Sequence, residues 1–377
     1  MSAPAGSDRI LPGATLGMLG GGQLGRMFTV AARTMGYRVH VLDPKPDSPA
    51  GALANEHLCA DYLDAAALDR LAVDCAAVST EFENVPADAL ARLAHSCRVR
   101  PGAEAVAPTQ NRLREKSFFD RHGLPTVAWA PVRTGDELDA AVARVGTPAL
   151  LKQAAGGYDG KGQQPVDSPS EAHRAFAALG ERECILERRI ELQTELSVIV
   201  CRAADGTVAS YPAVENVHAG GILFTTQAPA PIADTQARHA RVLAAETAAA
   251  LDYTGVLGVE MFVDGAGAVL LNELAPRPHN SGHYTLDACV TTQFEQQVRL
   301  LCGFEPGPTD LLSPVAMVNL LGDLWQDQAP DWARVLDSAG AKLHLYGKGE
   351  ARPGRKMGPV NVLAADGTSA LDRARAI

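Results

Sequence analysis

Two carboxylates in the stretch 259–273 are the first residues whose types and spacing suggest chemistry. Glu260 lies between Val259 and Met261, and Glu273 follows Val269, Leu270, Leu271 and Asn272, with a Gly265-Ala266-Gly267 turn between the runs. Apolar, β-branched runs on either side of a glycine turn predict a hairpin. A carboxylate on a half-buried strand is costly unless a cation pairs with it. With Asn272 the pair forms an all-oxygen donor set, which suits Mg²⁺ better than zinc. The plainer reading is two strand-end glutamates, solvated or paired with arginine. These residues alone leave both open.

Further chemistry lies upstream. Lys152 ends the apolar run Leu150-Leu151-Lys152, and Gly156-Gly157-Tyr158-Asp159-Gly160-Lys161-Gly162-Gln163 follows at once. So dense a glycine run excludes a helix; between strands it predicts a flap whose N–H groups and Lys161 close over phosphates. It is not a Walker loop, because no Gly-Lys-Ser/Thr opens a helix. Near the N-terminus Gly20, Gly22 and Gly25 satisfy G-x-G-x-x-G, and Asp43 stands where a dinucleotide fold places its ribose-binding acid. An NAD site is the obvious reading. Physically the glycines secure only close backbone approach and free N–H groups at a helix N-terminus, which suit any phosphate. Glu81 and Glu83, just past a strand end, are either crevice residues or a solvated acidic loop before the helix that Pro86 starts. Arg112 and Lys116, four apart on a helix, share what is by itself a solvated basic face.

The elements that must position these groups alternate at first. A strand over 15–20, a helix to Met35 and a strand over 38–43 form a β-α-β unit, and a helix over 68–73 and a strand over 76–79 continue it. From Val127 the pattern becomes α+β, with strands over 184–190 and 196–200 and an alanine-rich helix over 233–251. An amphipathic helix over 285–301 precedes a boundary at 303–308. The tail has strands over 315–321, 342–346 and 360–363, with a basic stretch, 352–359, between the last two.

The chain has 377 residues, enough for two or three domains with sizeable cores. Its net charge of −10 argues against a nucleic-acid groove but leaves room for local basic pockets. Seven cysteines without a C-x-x-C pair suggest reduced thiols in the cytoplasm, with Cys289 a core residue rather than a nucleophile. No apolar run approaches the ~20 residues of a membrane span. Residues 1–8 read as neither signal nor transit peptide.

A strand-end lysine, a glycine flap with a second lysine, a strand-end glutamate and an acidic hairpin, in this order, resemble the ATP-grasp superfamily. Within it, Gly20-Gly21-Gly22-Gln23-Leu24-Gly25-Arg26-Met27, the flap, the run from Asn272 through Arg277-Pro278-His279-Asn280-Ser281-Gly282-His283, and Arg355-Lys356-Met357-Gly358 are similar to the N5-carboxyaminoimidazole ribonucleotide synthases. These are ATP-dependent carboxylases of purine synthesis. The resemblance implies an α/β and α+β architecture: a Rossmann-like preATP-grasp domain over 1–108, an ATP-grasp domain of two lobes over 109–303, and a small β-rich C-terminal domain over 304–377. It implies that ATP is bound by Arg112, Lys152, the flap (Gly157, Tyr158, Asp159, Gly160, Lys161, Gly162 and Gln163), the adenine hinge (Glu187, Arg188, Arg189 and Ile190), Glu195, His218, Asn272 and Glu273. Glu260 and Glu273 would hold Mg²⁺ or Mn²⁺. The ribonucleotide would draw on Gln23, Glu81, Tyr158, Asp159, Arg277, Asn280, Arg355 and Lys356. Lys152, Lys161, Arg277 and His279 would act in catalysis, His279 as proton carrier or simply as a hydrogen-bonding group. Bicarbonate would be co-substrate, and the enzyme a cytoplasmic homodimer without nucleic-acid or membrane partners. Lys161 replaces a frequent arginine, and Pro359 a usual histidine. Formate-dependent glycinamide ribonucleotide transformylase and an NAD-dependent oxidoreductase are the competing readings.

Overall fold

The computed structural model describes residues 9–156, 162–325 and 328–376. Gly157, Tyr158, Asp159, Gly160 and Lys161, which carry the flap expectation, lie outside them. Three sheets organise the described residues. The first is all parallel, in spatial order Glu56–Leu58, Arg38–Leu42, Thr15–Leu19, Ala77–Thr80, Arg98–Val99. Its central strands are buried on both faces, as helix-covered parallel strands must be, and this explains their continuous apolar runs. The connection between the first two strands is the helix Gln23–Thr34.

A small antiparallel sheet follows, Trp129–Val132, Cys184–Arg188, Ala149–Gln153, Gln163–Val166, covered by helices Gly135–Val145 and Pro169–Ala178. The large sheet runs Val269–Ala275, Gly255–Asp264, Leu192–Arg202, Val214–Ala219, Ile222–Ala228, Val315–Leu321, Lys356–Leu363, Ala341–Leu343. The alanine-rich helix Asp234–Ala250 packs on it through Ala240, Leu243, Ala244 and Ala248, whose small side chains let helix and sheet approach closely. The C-terminal strands therefore extend the central sheet: Ile222–Ala228 pairs antiparallel with Val315–Leu321.

Two sequence expectations change here. The amphipathic helix over 285–301 is broken: a turn of 3₁₀ helix, Asn280–Tyr284, leads into Thr285–Ala288, and a new helix, Gln293–Leu301, starts at the Thr292 cap. Cys289 lies in the break, bridged to Leu311, and is buried; burial pushes its thiol up to about 12, so it is a core residue. The second helix binds the units together, because Val298, Leu301 and Cys302 join the core of the first sheet. The basic stretch is also not all loop, since Lys356 to Pro359 begin the strand Lys356–Leu363. Among the described residues no helix is long and apolar enough to cross a membrane.

Candidate functional site

A cavity of about 500 Å³ opens where the three sheets meet. Gln23 and Leu24 reach it from the first helix, and Glu81, Phe82 and Glu83 from the end of the strand Ala77–Thr80. Leu150, Lys152 and Gln163 come from the small sheet. The large sheet supplies Glu195, His218, Glu260, Phe262, Asn272 and Glu273, and the loop beyond it Arg277, His279 and Asn280; Lys356 completes the wall. One cleft thus gathers residues spread over more than 300 positions of sequence.

The acidic hairpin is built with a bulge. Val259 pairs with Leu274 and Met261 with Leu271, so Asn272 and Glu273 together oppose the single residue Glu260. An extra residue in one strand re-aims its side chains, and here it turns both Asn272 and Glu273 toward the cleft. Each carboxylate has a cationic or protonatable neighbour. Arg112 Nη1 donates to Glu273 Oε2 at 2.7 Å, and His279 Nε2 lies 3.0 Å from Glu260 Oε1. Burial alone would push the Glu260 carboxyl up, but the His279 hydrogen bond and charge outweigh it and bring it down to about 2. His279 Nδ1 is engaged by Ser281 Oγ at 2.8 Å. The arginine pairing weighed from the sequence is therefore real for Glu273, and it coexists with the cleft.

Arg112 and Lys116 do not form a solvated face. Lys116 is 1 % exposed. Its ammonium donates to Thr126 Oγ1 (2.7 Å) and Asn272 O (3.0 Å) and stands 3.5 Å from Glu187 Oε1. Lys152 bonds the other oxygen of Glu187. Glu187 is itself buried, and although burial raises its pKa, the two lysines hold it down at about 2. Glu187 thus joins the small sheet, which carries Lys152, to the helix Arg112–His122. Sequence reading singled Glu187 out as a backbone hinge; the side-chain role was invisible because its partners lie 35 and 71 positions away. Glu115, on the same helix, accepts the Leu274 N–H at 2.8 Å, and burial with Glu273 nearby pushes it up to about 8. Arg188 and Arg189 turn outward, to Val145 O (3.0 Å) and Asp167 (2.9 Å), and none of residues 187–190 is among those lining the cavity.

The glycine fingerprint is filled by the protein itself. Glu81 accepts the N–H groups of Gly22 and Gly25, and Asp43 Oδ2 accepts the Gly21 N–H at 2.7 Å. A Cβ on Gly22 would fall 2.6 Å from Glu81 Oε1, so glycine there serves the carboxylate's approach. The donors a pyrophosphate would need are taken, which removes the NAD reading. Burial raises the Glu81 pKa against the pull of those backbone donors. Glu83 instead pairs with Arg277 Nε at 2.8 Å.

Other expected residues fall in different places. Glu195 bonds His218; burial lowers the imidazole pKa, but the Glu195 bond and charge raise it more. Asn280 is buried, with Nδ2 lacking a partner among the described residues. Arg355 does not line the cleft: its guanidinium donates to Glu350 O at 2.6 Å. Phe262 and Leu150 line it without having been expected, because an apolar residue on a strand reads as core.

The same chain matches the ATP-grasp domain over residues 117–294, the ribonucleotide synthetase preATP-grasp domain over 13–110 and the phosphoribosylaminoimidazole carboxylase C-terminal domain over 315–373. It is 44 % identical over 356 residues to the N5-carboxyaminoimidazole ribonucleotide synthase of Bacillus subtilis, covering 94 % of this chain and 92 % of that one. The chain belongs to the N5-carboxyaminoimidazole ribonucleotide synthase family. A solved N5-carboxyaminoimidazole ribonucleotide synthetase in complex with ADP superposes with a TM-score of 0.92 at 41 % identity, covering 98 % of this chain and 97 % of that one. The Aspergillus clavatus synthase, solved with ADP and 5-aminoimidazole ribonucleotide, superposes at 0.87 with 33 % identity and coverage of 97 % and 99 %. The family's folds thus agree with the three sheets seen here.

Proposed function

We propose that the cleft carries out ATP- and bicarbonate-dependent carboxylation of 5-aminoimidazole ribonucleotide to N5-carboxyaminoimidazole ribonucleotide, a C–N bond-forming ligase reaction of purine biosynthesis. The observation that carries this reading is one cavity joining the buried Lys152, the bulged Glu260–Asn272–Glu273 cluster and the Glu83–Arg277 corner. Bicarbonate is a poor electrophile, so a bicarbonate oxygen first attacks the γ-phosphorus of ATP, releasing ADP and forming carboxyphosphate. The exocyclic amine then attacks the carboxyl carbon, directly or as released CO₂; phosphate leaves and the amine gives up a proton.

Lys152 and Arg112 sit where they can bind nucleotide phosphates, and Gln163 extends the same wall. Positioning and electrostatics dominate phosphoryl transfer, so fixed cations are the relevant equipment. Glu195 and His218 would take the ribose side, with the backbone of residues 187–190 reading adenine. The all-oxygen set of Glu260, Glu273 and Asn272 fits Mg²⁺ or Mn²⁺, which when bound neutralises charge on the transferred phosphoryl. His279 meanwhile keeps the Glu260 carboxylate ionised, and Arg112 pairs with Glu273. Gln23, Arg277, Asn280 and Lys356 would hold the ribonucleotide, the Asn280 amide, without a partner among the described residues, supplying a donor. His279 would relay the amine proton through its Glu260 contact. The flap residues 157–161, with Lys161, would exclude water from carboxyphosphate. The working form would be a cytoplasmic homodimer.

Coupled ADP release tests the reading. ADP should form with bicarbonate plus aminoimidazole ribonucleotide; formation only with formate plus glycinamide ribonucleotide would replace the assignment. Glu273→Gln should abolish turnover with an unchanged circular dichroism spectrum, and retained turnover would remove its role in metal binding.

A further inference from the structure

A second cavity, about 720 Å³, lies on the far side of the helix Arg112–His122 from the cleft. The helix is two-faced. Arg112, Glu115, Lys116 and Phe119 point to the cleft or the core behind it, while Arg114, Ser117, Phe118 and Arg121 line the second cavity. Arg114 and Arg121 are two turns apart on one face, about 10 Å along the axis. Neither guanidinium has a hydrogen bond or ion pair among the described residues. Across the cavity stands Arg133, on the edge of the small sheet's lobe, with Glu183 at 3.1 Å and Glu137 at 3.6 Å. Glu104 adds one further carboxylate. The wall thus presents two arginines, Arg114 and Arg121, whose guanidinium groups are not neutralised by a contacting carboxylate among the described residues, in a chain whose net charge is −10. The floor is apolar: Phe118, Leu113 and Leu251 contribute edges, and the His122 ring lies against Phe118 with centroids 4.6 Å apart.

We infer that this cavity is an effector site for a small aromatic anion, and that its occupancy is felt in the catalytic cleft through the helix Arg112–His122. The volume falls within the roughly 300–1,000 Å³ of small-molecule sites, and an apolar floor with a few convergent cations is their usual make-up. Unpaired arginines bind phosphate, sulfonate or carboxylate groups through paired N–H donors, while the Phe118–His122 floor takes a flat ring. The cavity walls come from three bodies: Glu104 and Pro108 from the connection out of the first sheet, Arg133 and Glu183 from the small-sheet lobe, Ala250 and Leu251 beside the large sheet. A ligand touching all three fixes the lobe carrying Lys152 relative to the sheet carrying Glu273. Binding at either site then changes affinity at the other by the same factor.

The test uses the full chain and 8-anilinonaphthalene-1-sulfonate as probe, with ADP saturating so that the cleft is taken. One saturable site should appear by fluorescence. The double variant Arg114→Glu/Arg121→Glu should bind the probe about tenfold more weakly or worse, with kcat unchanged when no probe is present. The probe should also shift the KM for ATP by about fivefold in the natural chain, and not in the variant. Equal affinity in the variant, or displacement of the probe by ADP, overturns the site; binding without a KM shift overturns the coupling. The kcat and KM arms rest on the proposed ATP reaction; the fluorescence arm does not. Failure of ADP to bind would count against that reaction, while the arginine dependence of probe binding would still judge the cavity.

Discussion

Replacing Glu187 by glutamine tests the buried charge cluster directly. The wild-type carboxylate is bonded by Lys152 and stands 3.5 Å from Lys116, and all three residues are buried. Glutamine keeps the shape and one acceptor oxygen, so the change reports the charge. Removing one partner of a buried ion pair typically costs about 3–5 kcal/mol, because the other charge is left without compensation. At roughly 2–4 °C per kcal/mol for a large domain, the melting temperature should fall by about 10 °C. Differential scanning fluorimetry reads this. Adding Lys116→Met should recover part of the loss, since it removes one of two stranded ammonium groups and the effects of contacting residues do not add. Saturating ATP should raise the melting temperature more in Glu187→Gln than in the natural chain, because nucleotide phosphates supply the missing negative charge beside Lys152. A Glu187→Gln protein that melts within about 2 °C of wild type would refute the cluster's structural role.

Three further outcomes follow from the geometry. Gly22→Ala places a Cβ 2.6 Å from Glu81 Oε1 and should expel that carboxylate, raising the KM for aminoimidazole ribonucleotide more than that for ATP; equal effects in steady-state kinetics would count against the placement of Glu81. Gly258→Ala puts a Cβ 2.7 Å from His279 Cβ and should lower kcat with little change in either KM, and a normal kcat would remove His279 from the reaction. His218 has a raised folded pKa, so its bond to Glu195 stabilises fully below its ordinary value of 6.5 and is lost as pH rises through the higher folded value. Melting temperature should therefore fall across that window, and Glu195→Gln should flatten the slope; an unchanged slope contradicts the pairing.

Much of the site was legible because its residues break local rules. Glu260 and Glu273 interrupt apolar strand runs, Lys152 ends another, and the glycines at 20, 22 and 25 mark a turn that no other residue enters without a clash. The alternation of strands and helices before Val127 likewise gave the parallel sheet, since buried strands need unbroken apolar runs. Arg112 and Lys116 misled, because a helical spacing of four says which residues share a face and nothing about what covers it.

What the sequence by itself determined was the order of elements, the identity of the chemical groups and, through long motifs, the family. Tertiary structure alone decided how those groups are spent. Hydrogen bonding assigns the glycine loop's N–H groups to Glu81, 56 and 59 positions away, in place of a cofactor phosphate. The one-residue bulge that brings Asn272 and Glu273 opposite Glu260 follows from register between two strands, and register carries no mark in either strand taken singly. The same holds for Glu187 between its two lysines: nothing in the sequence pairs these charges, and only the meeting of sheet and helix strips the water and makes them depend on one another.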